Sequence, residues 1–304
     1  FILIQKREKN LEYSVYHYKE HFYILTNLDA KNFRLMRTLI SSPSKENWEE
    51  VIPHDKDVLI ENIDIFKNHL VIEERTNGLT NIKVIDWQNN TNYYIDFNDP
   101  TYSASTFANV EFNTNKLRYS YTSLTTPNSV FEYDMNTKEK VLLKQEEVLD
   151  DTFSIENYES KRHYAIARDG KKIPISLVYK KGINKNGLNP LLLYGYGSYG
   201  YSMDPYFSSV RLSLLNRGFI FAIAHVRGGE ELGREWYEDG KLLNKKNTFY
   251  DFIDCGEFLI KEKYTSKSHL YAAGGSAGGL LMGAVINMRA DLWNGVIAGV
   301  PFVD

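Results

Sequence analysis

Along the first half of the chain, apolar and polar residues alternate in short runs separated by polar turns, the pattern of half-buried antiparallel strands. Three segments share one order, strand, turn, strand, turn, strand. They begin at Phe22-Tyr23-Ile24-Leu25-Thr26, Leu70-Val71-Ile72-Glu73-Glu74 and Leu117-Arg118-Tyr119-Ser120-Tyr121, and continue to Phe33-Arg34-Leu35-Met36, Ile82-Lys83-Val84-Ile85-Asp86 and Val130-Phe131-Glu132-Tyr133-Asp134. The starts lie 48 and 47 residues apart, the repeat length of a four-stranded propeller blade. A blade cannot bury its apolar faces alone, so the repeat predicts a stack of blades. An ordinary antiparallel sandwich is the alternative, and the even spacing favours the propeller.

Between residues 150 and 165 the pattern changes. Tyr164–Arg168 and Ile173–Tyr179 flank Asp169-Gly170, a hairpin signal. Beyond it, apolar blocks alternate with helical periodicity. Leu191–Tyr194 reads as a strand, Phe207–Arg217 as a helix closed by Gly218, Phe219–Ala224 as a strand, and Thr248–Lys263 as a long amphipathic helix. His269–Ala273, the helix from Leu280 and Val296–Val300 follow. Strand alternating with helix predicts a mostly parallel sheet covered on both faces. The chain therefore divides into a partial β-propeller of about three blades over 1–155 and a partial α/β domain over 156–304.

Composition narrows the function rather than the fold. The apolar fraction of 43% and charged fraction of 25% are those of a globular protein. A net charge of −3 without a basic cluster gives no case for nucleic acid, and no apolar run approaches the roughly 18 residues of a membrane helix. The single cysteine, Cys255, falls in a helical pattern and is expected to be buried and inert; its isolation suits a reducing, cytoplasmic setting. His17, His21, His54 and His69 lack metal-ligand spacing, so no metal or cofactor is implied. The acid pairs Glu49-Glu50, Glu73-Glu74 and Glu146-Glu147 read as solvated faces or turn ends.

Chemistry concentrates at Gly274-Gly275-Ser276-Ala277-Gly278, which follows a strand and opens a helix. In that setting G-x-S-x-G is a nucleophile elbow: the serine sits in a strained turn and the glycines let strand and helix approach without a Cβ clash. The Ala277 amide, at the helix start, then points where a tetrahedral oxyanion forms. A glycine-rich strand-to-helix turn carrying a chance serine, or a phosphate-cradling loop, is the structural alternative. Two further segments end strands on the same rim, Tyr194-Gly195-Tyr196-Gly197-Ser198-Tyr199-Gly200 and His225-Val226-Arg227-Gly228-Gly229-Glu230-Glu231-Leu232-Gly233. His225 is read as a satisfied strand-end histidine, because an elbow takes its base from beyond the serine.

These segments, with Trp236-Tyr237-Glu238-Asp239-Gly240-Lys241 and Lys246-Asn247-Thr248-Phe249, resemble the catalytic domain of the prolyl oligopeptidase family, and more faintly the resemblance covers the whole chain. Gly278-Gly279-Leu280-Leu281-Met282-Gly283 and Val300-Pro301-Phe302-Val303-Asp304 are similar to its oligopeptidase B branch. The resemblance implies a propeller joined to an α/β-hydrolase domain, and a serine oligopeptidase that cleaves short peptides after lysine or arginine. It assigns Ser276 as nucleophile, Ala277 as backbone oxyanion donor, Tyr196 as the phenol completing the oxyanion hole and Asp204 as a substrate-binding acid. Two departures stand out: a nearby acidic position of some members is Tyr206, and the third glycine after the arginine is Glu230.

The family's triad aspartate and histidine follow its serine. After Ser276 this sequence has no histidine and, as acids, Asp291 and Asp304. The expectation is a fragment of a longer peptidase, nearly inactive alone, with its triad partners and its pocket for a basic side chain past Asp304. A non-catalytic propeller–hydrolase binding module, or an esterase or prolyl-specific peptidase on the same folds, is the competing reading. The expected partners are short peptides, with neither nucleic acid nor membrane.

Overall fold

The computed structural model describes residues 3–302. Its first part is three four-stranded antiparallel sheets, each with its strands paired in chain order. The first holds β1 (Tyr13–Tyr18), β2 (His21–Thr26), β3 (Arg34–Leu39) and β4 (Glu49–Ile52). The second holds β5 (Val58–Ile65), β6 (His69–Thr76), β7 (Leu79–Asp86) and β8 (Asn92–Tyr94), and the third β9 (Tyr102–Thr106), β10 (Lys116–Ser123), β11 (Ser129–Asp134) and β12 (Lys140–Gln145). The repeat starts thus fall on the second strand of each sheet, and the propeller reading holds.

Side-chain alternation explains why the sheets stack. On β6, Leu70 and Ile72 face the first sheet and pack with Leu25, Leu35 and Ile63, whereas Val71 faces the third and packs with Leu117 and Tyr119. β6 is therefore apolar on both faces, and the second sheet needs a neighbour on each side. The Glu73-Glu74 expectation is corrected here. Glu74 is buried, taking a hydrogen bond from Tyr94 Oη at 2.6 Å and the Lys83 ammonium at 3.5 Å, and Glu73 accepts the Thr106 amide at 3.0 Å. Both acids serve contacts across strands that spacing along the chain does not reveal.

The second part is one six-stranded sheet. Its strands are β13 (Tyr158–Ile166), β14 (Lys172–Lys180), β15 (Leu191–Tyr194), β16 (Ile220–Ala224), β17 (Leu270–Gly275) and β18 (Gly295–Gly299), in the order β13-β14-β16-β15-β17-β18. The β13–β14 and β14–β16 pairs are antiparallel; the remaining three are parallel. Helices α1 (Ser209–Leu215), α2 (Arg234–Glu238), α3 (Lys246–Lys261) and α4 (Ala277–Met288) complete it. All five residues of β16 are buried: Ile220, Ala222 and Ala224 pack toward α3 and α4, Phe221 and Ile223 toward α1. Helices on both faces account for that continuous apolar run, each buried isoleucine or phenylalanine contributing roughly 1.5–3 kcal/mol. Cys255 lies wholly within α3's buried face, where burial pushes its thiol well above the ordinary range.

The two parts touch through polar groups as well as apolar ones. Thr122 Oγ1 accepts the Phe207 amide at 3.1 Å, Arg162 Nη2 donates to Asn77 O at 2.7 Å, and Asn32 Oδ1 accepts the Arg234 amide at 2.9 Å. Arg75 of β6 reaches Asp204, which lies between β15 and α1.

Candidate active site

Ser276 stands at the corner between β17 and α4 with φ 54° and ψ −116°, a conformation that strains any residue but glycine by about 1–3 kcal/mol. The corner is held from three sides: the Ser276 amide donates to Gly299 O at 2.8 Å, and its carbonyl accepts the amides of Gly279 at 2.9 Å and Leu280 at 3.2 Å. Close approach explains the motif's outer glycines. A Cβ on Gly274 would overlap the Gly278 carbonyl, and one on Gly278 would lie 2.6 Å from Gly195 O. Gly275 is different, since a Cβ there would meet its nearest neighbour at 3.8 Å.

The result is a half-buried serine whose hydroxyl has no hydrogen-bond partner among the described residues. The Ala277 and Gly278 amides, first in α4, likewise have no acceptor among those residues and lie at the positive end of the helix dipole. Beside them, the backbone of Tyr196 runs against Gly278: a Cβ on that glycine would lie 3.3 Å from Tyr196 Cα. The Tyr196 ring is half-buried and packs edge-on to Tyr201 at 5.7 Å. Burial, and then the neighbouring Tyr199 and Tyr201, push its phenol above the ordinary value of 10, so it remains a neutral donor at physiological pH. The structure thus gathers Ser276, Ala277 and Tyr196 at one corner of the sheet's carboxyl edge.

A cavity of about 380 Å³ opens beside that corner, lined by Ala277, Leu280, Tyr199, Tyr237, Lys245 and Phe302 among others. No carboxylate lines it among the described residues. Its cations are Lys241 and Lys245, and the Lys245 ammonium donates to Gly197 O at 2.5 Å and Ser198 Oγ at 2.6 Å.

The Arg227 segment is scaffold for this edge. The Arg227 side chain is buried, gripping Asp251 of α3 through Nε at 2.8 Å and Nη2 at 2.5 Å, and reaching Asp169 through Nη1 at 2.5 Å. Gly228 O accepts the Gly200 amide at 3.0 Å, and Thr248 Oγ1 donates to Arg227 O at 2.7 Å. The motif residues of 227–251 thereby pin the glycine turn that carries Tyr196.

His225 is sealed inside. Its Nε2 meets Ser176 Oγ at 2.8 Å, Nδ1 lies 3.8 Å from Glu231 Oε1, and burial lowers its pKa against the pull of Glu231. It is no candidate base, in line with an elbow taking its base from beyond the serine, but the expected satisfaction is incomplete: Nδ1 has no hydrogen-bond partner among the described residues.

Asp204 is engaged elsewhere in the interface. Arg75 Nη1 and Nη2 donate to its two carboxylate oxygens at 2.6 and 3.1 Å, and Arg75 Nε donates to Glu61 at 2.7 Å. Tyr206 is exposed, with the Arg211 guanidinium 5.3 Å from its ring centre. Sequence reasoning missed both Arg75 and Lys245. Arg75 meets Asp204 across 129 residues, and Lys245 belongs to a lysine doublet that reads as solvated surface, so neither carried a local signal.

Comparison with known proteins adds to this geometry. A model described as "Prolyl oligopeptidase, N-terminal beta-propeller domain" matches residues 1–146, and one described as "Prolyl oligopeptidase family" matches residues 205–304. The chain is 44% identical to dipeptidyl aminopeptidase BI of Pseudoxanthomonas mexicana, over 100% of the chain and 42% of that protein. It is 39% identical to protease 2 of Moraxella lacunata, over 99% of the chain and 43% of that protein. Among solved structures, oligopeptidase B from Leishmania major superposes with a TM-score of 0.91 at 42% identity, covering 99% of this chain and 43% of that one. The chain therefore spans about two-fifths of the length of these relatives.

Proposed function

The chain belongs to the prolyl oligopeptidase family, and on that footing we propose that its protein is a serine oligopeptidase that cleaves short peptides after lysine or arginine. The observation that carries this reading is the corner itself, a strained serine at a helix head with two unpaired amides and a neutral phenol beside it. Ser276 Oγ attacks the scissile carbonyl as its proton passes to a histidine base. The carbonyl oxygen becomes an oxyanion that takes hydrogen bonds from the Ala277 amide and the Tyr196 hydroxyl, each contributing about 3 kcal/mol to lowering the barrier. Collapse breaks the C–N bond, the amine leaves with the histidine's proton, and water then hydrolyses the acyl-serine.

The base and its orienting carboxylate come from outside these residues. No histidine follows Ser276, and Asp291 is exposed and bound to Lys267 and Arg289. The carboxylates that would receive a basic side chain are likewise supplied from outside, since among the described residues the charged groups lining the cavity beside Ala277 are Lys241 and Lys245. Asp204 is a second recognition point only where a substrate cation displaces Arg75 from it. Loss of a serine's base costs on the order of 10⁶ in turnover, so residues 1–304 alone are nearly inactive.

A relative named as a dipeptidyl aminopeptidase makes release of N-terminal dipeptides the second reading. The test is a panel of chromogenic arginyl, lysyl, prolyl and free-amine dipeptidyl substrates on the full-length protein, with Ser276→Ala as control and fluorophosphonate labelling of Ser276. Cleavage of arginyl and lysyl peptides, lost in Ser276→Ala, is expected. Activity that survives Ser276→Ala would overturn the mechanism, and a preference for prolyl or dipeptidyl substrates would overturn the specificity.

A further inference from the structure

Lys245 immediately precedes α3, and its side chain turns back beneath the Gly195–Gly200 turn. Its neighbour Lys246 is exposed, whereas Lys245 is half-buried with its ammonium on Gly197 O and Ser198 Oγ. No carboxylate lies within ion-pair distance of that ammonium among the described residues. Burial without a counter-charge lowers its pKa to about 8. Burying an ammonium without a counter-charge costs stability, and its two hydrogen bonds offset part of that cost.

What they hold is the turn that carries Tyr196. The turn's ends are tied by Gly195 N to Ala273 O at 3.1 Å and Gly200 N to Gly228 O at 3.0 Å. Between them Gly197 and Tyr199 take left-handed φ values of 67° and 61°, and the Tyr196 hydroxyl has no partner of its own among the described residues. The phenol is therefore only as well placed as the turn beneath it, and among the described residues the one side-chain cation gripping that turn is Lys245.

We propose that Lys245 is a positioning residue for catalysis: its ammonium clamps the Gly197 carbonyl and the Ser198 hydroxyl so that the Tyr196 phenol stays over the Ser276–Ala277 corner. The inference rests on the reading of Ser276 and Tyr196 given above. Loss of the clamp lets the phenol wander when negative charge develops on the substrate oxygen, so it lowers turnover more than binding.

The experiment compares Lys245→Met, Lys245→Arg, Tyr196→Phe and the Lys245→Met/Tyr196→Phe double variant in the full-length protein, on whichever anilide of the panel the wild type cleaves. Lys245→Met is expected to lower kcat about 10- to 100-fold, below the roughly 10²–10³ for loss of a whole oxyanion donor, with KM within about twofold. Lys245→Arg recovers part of the loss. The double variant is no slower than Tyr196→Phe, because the clamp acts through the phenol. The wild-type rate declines as pH passes about 8 and the ammonium loses its proton, and Lys245→Met lacks that limb. Tyr199, Tyr237 and Lys241 line the same cavity and stay in every variant, so they cannot explain its disappearance. Melting temperatures identify any variant that fails to fold, in which case Ser198→Ala, which removes one acceptor and no charge, is measured for a smaller kcat loss. A Lys245→Met enzyme within twofold of wild type while Tyr196→Phe is slow, or losses that multiply in the double variant, would overturn the clamp. Full activity in Tyr196→Phe would overturn the oxyanion reading, and the clamp with it.

Discussion

Replacing Arg75 by methionine tests whether the two halves of the molecule are held by a buried charge. The Arg75 side chain is 4% exposed, and its partners Glu61 and Asp204 are 28% and 29% exposed. Breaking a fully buried pair by removing one partner costs about 3–5 kcal/mol. Here the two acids left behind recover some hydration, so about 3 kcal/mol is expected for Arg75→Met. Asp204→Asn is milder, about 1 kcal/mol, because Arg75 keeps Glu61 at 2.7 Å and an amide oxygen still accepts one of its hydrogen bonds.

The pH dependence follows from the same geometry. Burial raises the Glu61 pKa above the ordinary 4.5 against the pull of Arg75, with Asp204 and Glu73 adding to the rise. An acid whose folded pKa is raised favours the folded state most below its unfolded pKa, and that contribution fades as pH climbs through the folded one. Without Arg75 the rise is larger, so the Arg75→Met penalty is greatest near pH 8 and shrinks toward pH 5. The assay is urea unfolding of the full-length protein at both pH values, with limited proteolysis of the linker near residue 150 as a report on domain separation. Equal midpoints for Arg75→Met and wild type, or a penalty that grows on acidification, would refute the argument.

Three further outcomes follow. Gly278→Ala places a Cβ 2.6 Å from Gly195 O and should destabilise the elbow by about 2 kcal/mol or more and abolish fluorophosphonate labelling, whereas Gly275→Ala, with nothing nearer than 3.8 Å, should leave labelling within about twofold. Asp251→Ala leaves the buried Arg227 guanidinium with only the partly exposed Asp169, and a loss of about 3–5 kcal/mol in chemical denaturation is expected. Burial lowers the His225 pKa below the ordinary 6.5, so the unfolded chain binds the proton more readily and stability declines as pH falls below that value. His225→Gln should flatten this acid limb in a melting-temperature series, and an unchanged limb would assign it to other groups.

Much of this architecture is legible along the chain because its causes are local or periodic. Alternation on strands such as Leu70–Glu74 and the recurrence at 22, 70 and 117 marked stacked sheets, since an apolar face on both sides of a strand requires neighbours on both sides. The elbow was readable because its glycines answer a backbone contact within four residues, between Gly274 and Gly278. The sheet's strand order was not readable, nor was the antiparallel attachment of β14 to β16, because pairing is decided by which edges meet in space. Electrostatics were the least visible. Glu74 reads as surface and is buried, and the partners that Lys245 and Asp204 take, the Gly197 carbonyl and Arg75, leave no mark along the chain. By itself the sequence determined where strands, helices and the strained serine fall, for those obey spacing and sterics along the backbone. Only the tertiary structure decided which charges face one another, because Coulombic and hydrogen-bonding partners are selected by distance through space, and 129 residues can separate two atoms 2.6 Å apart.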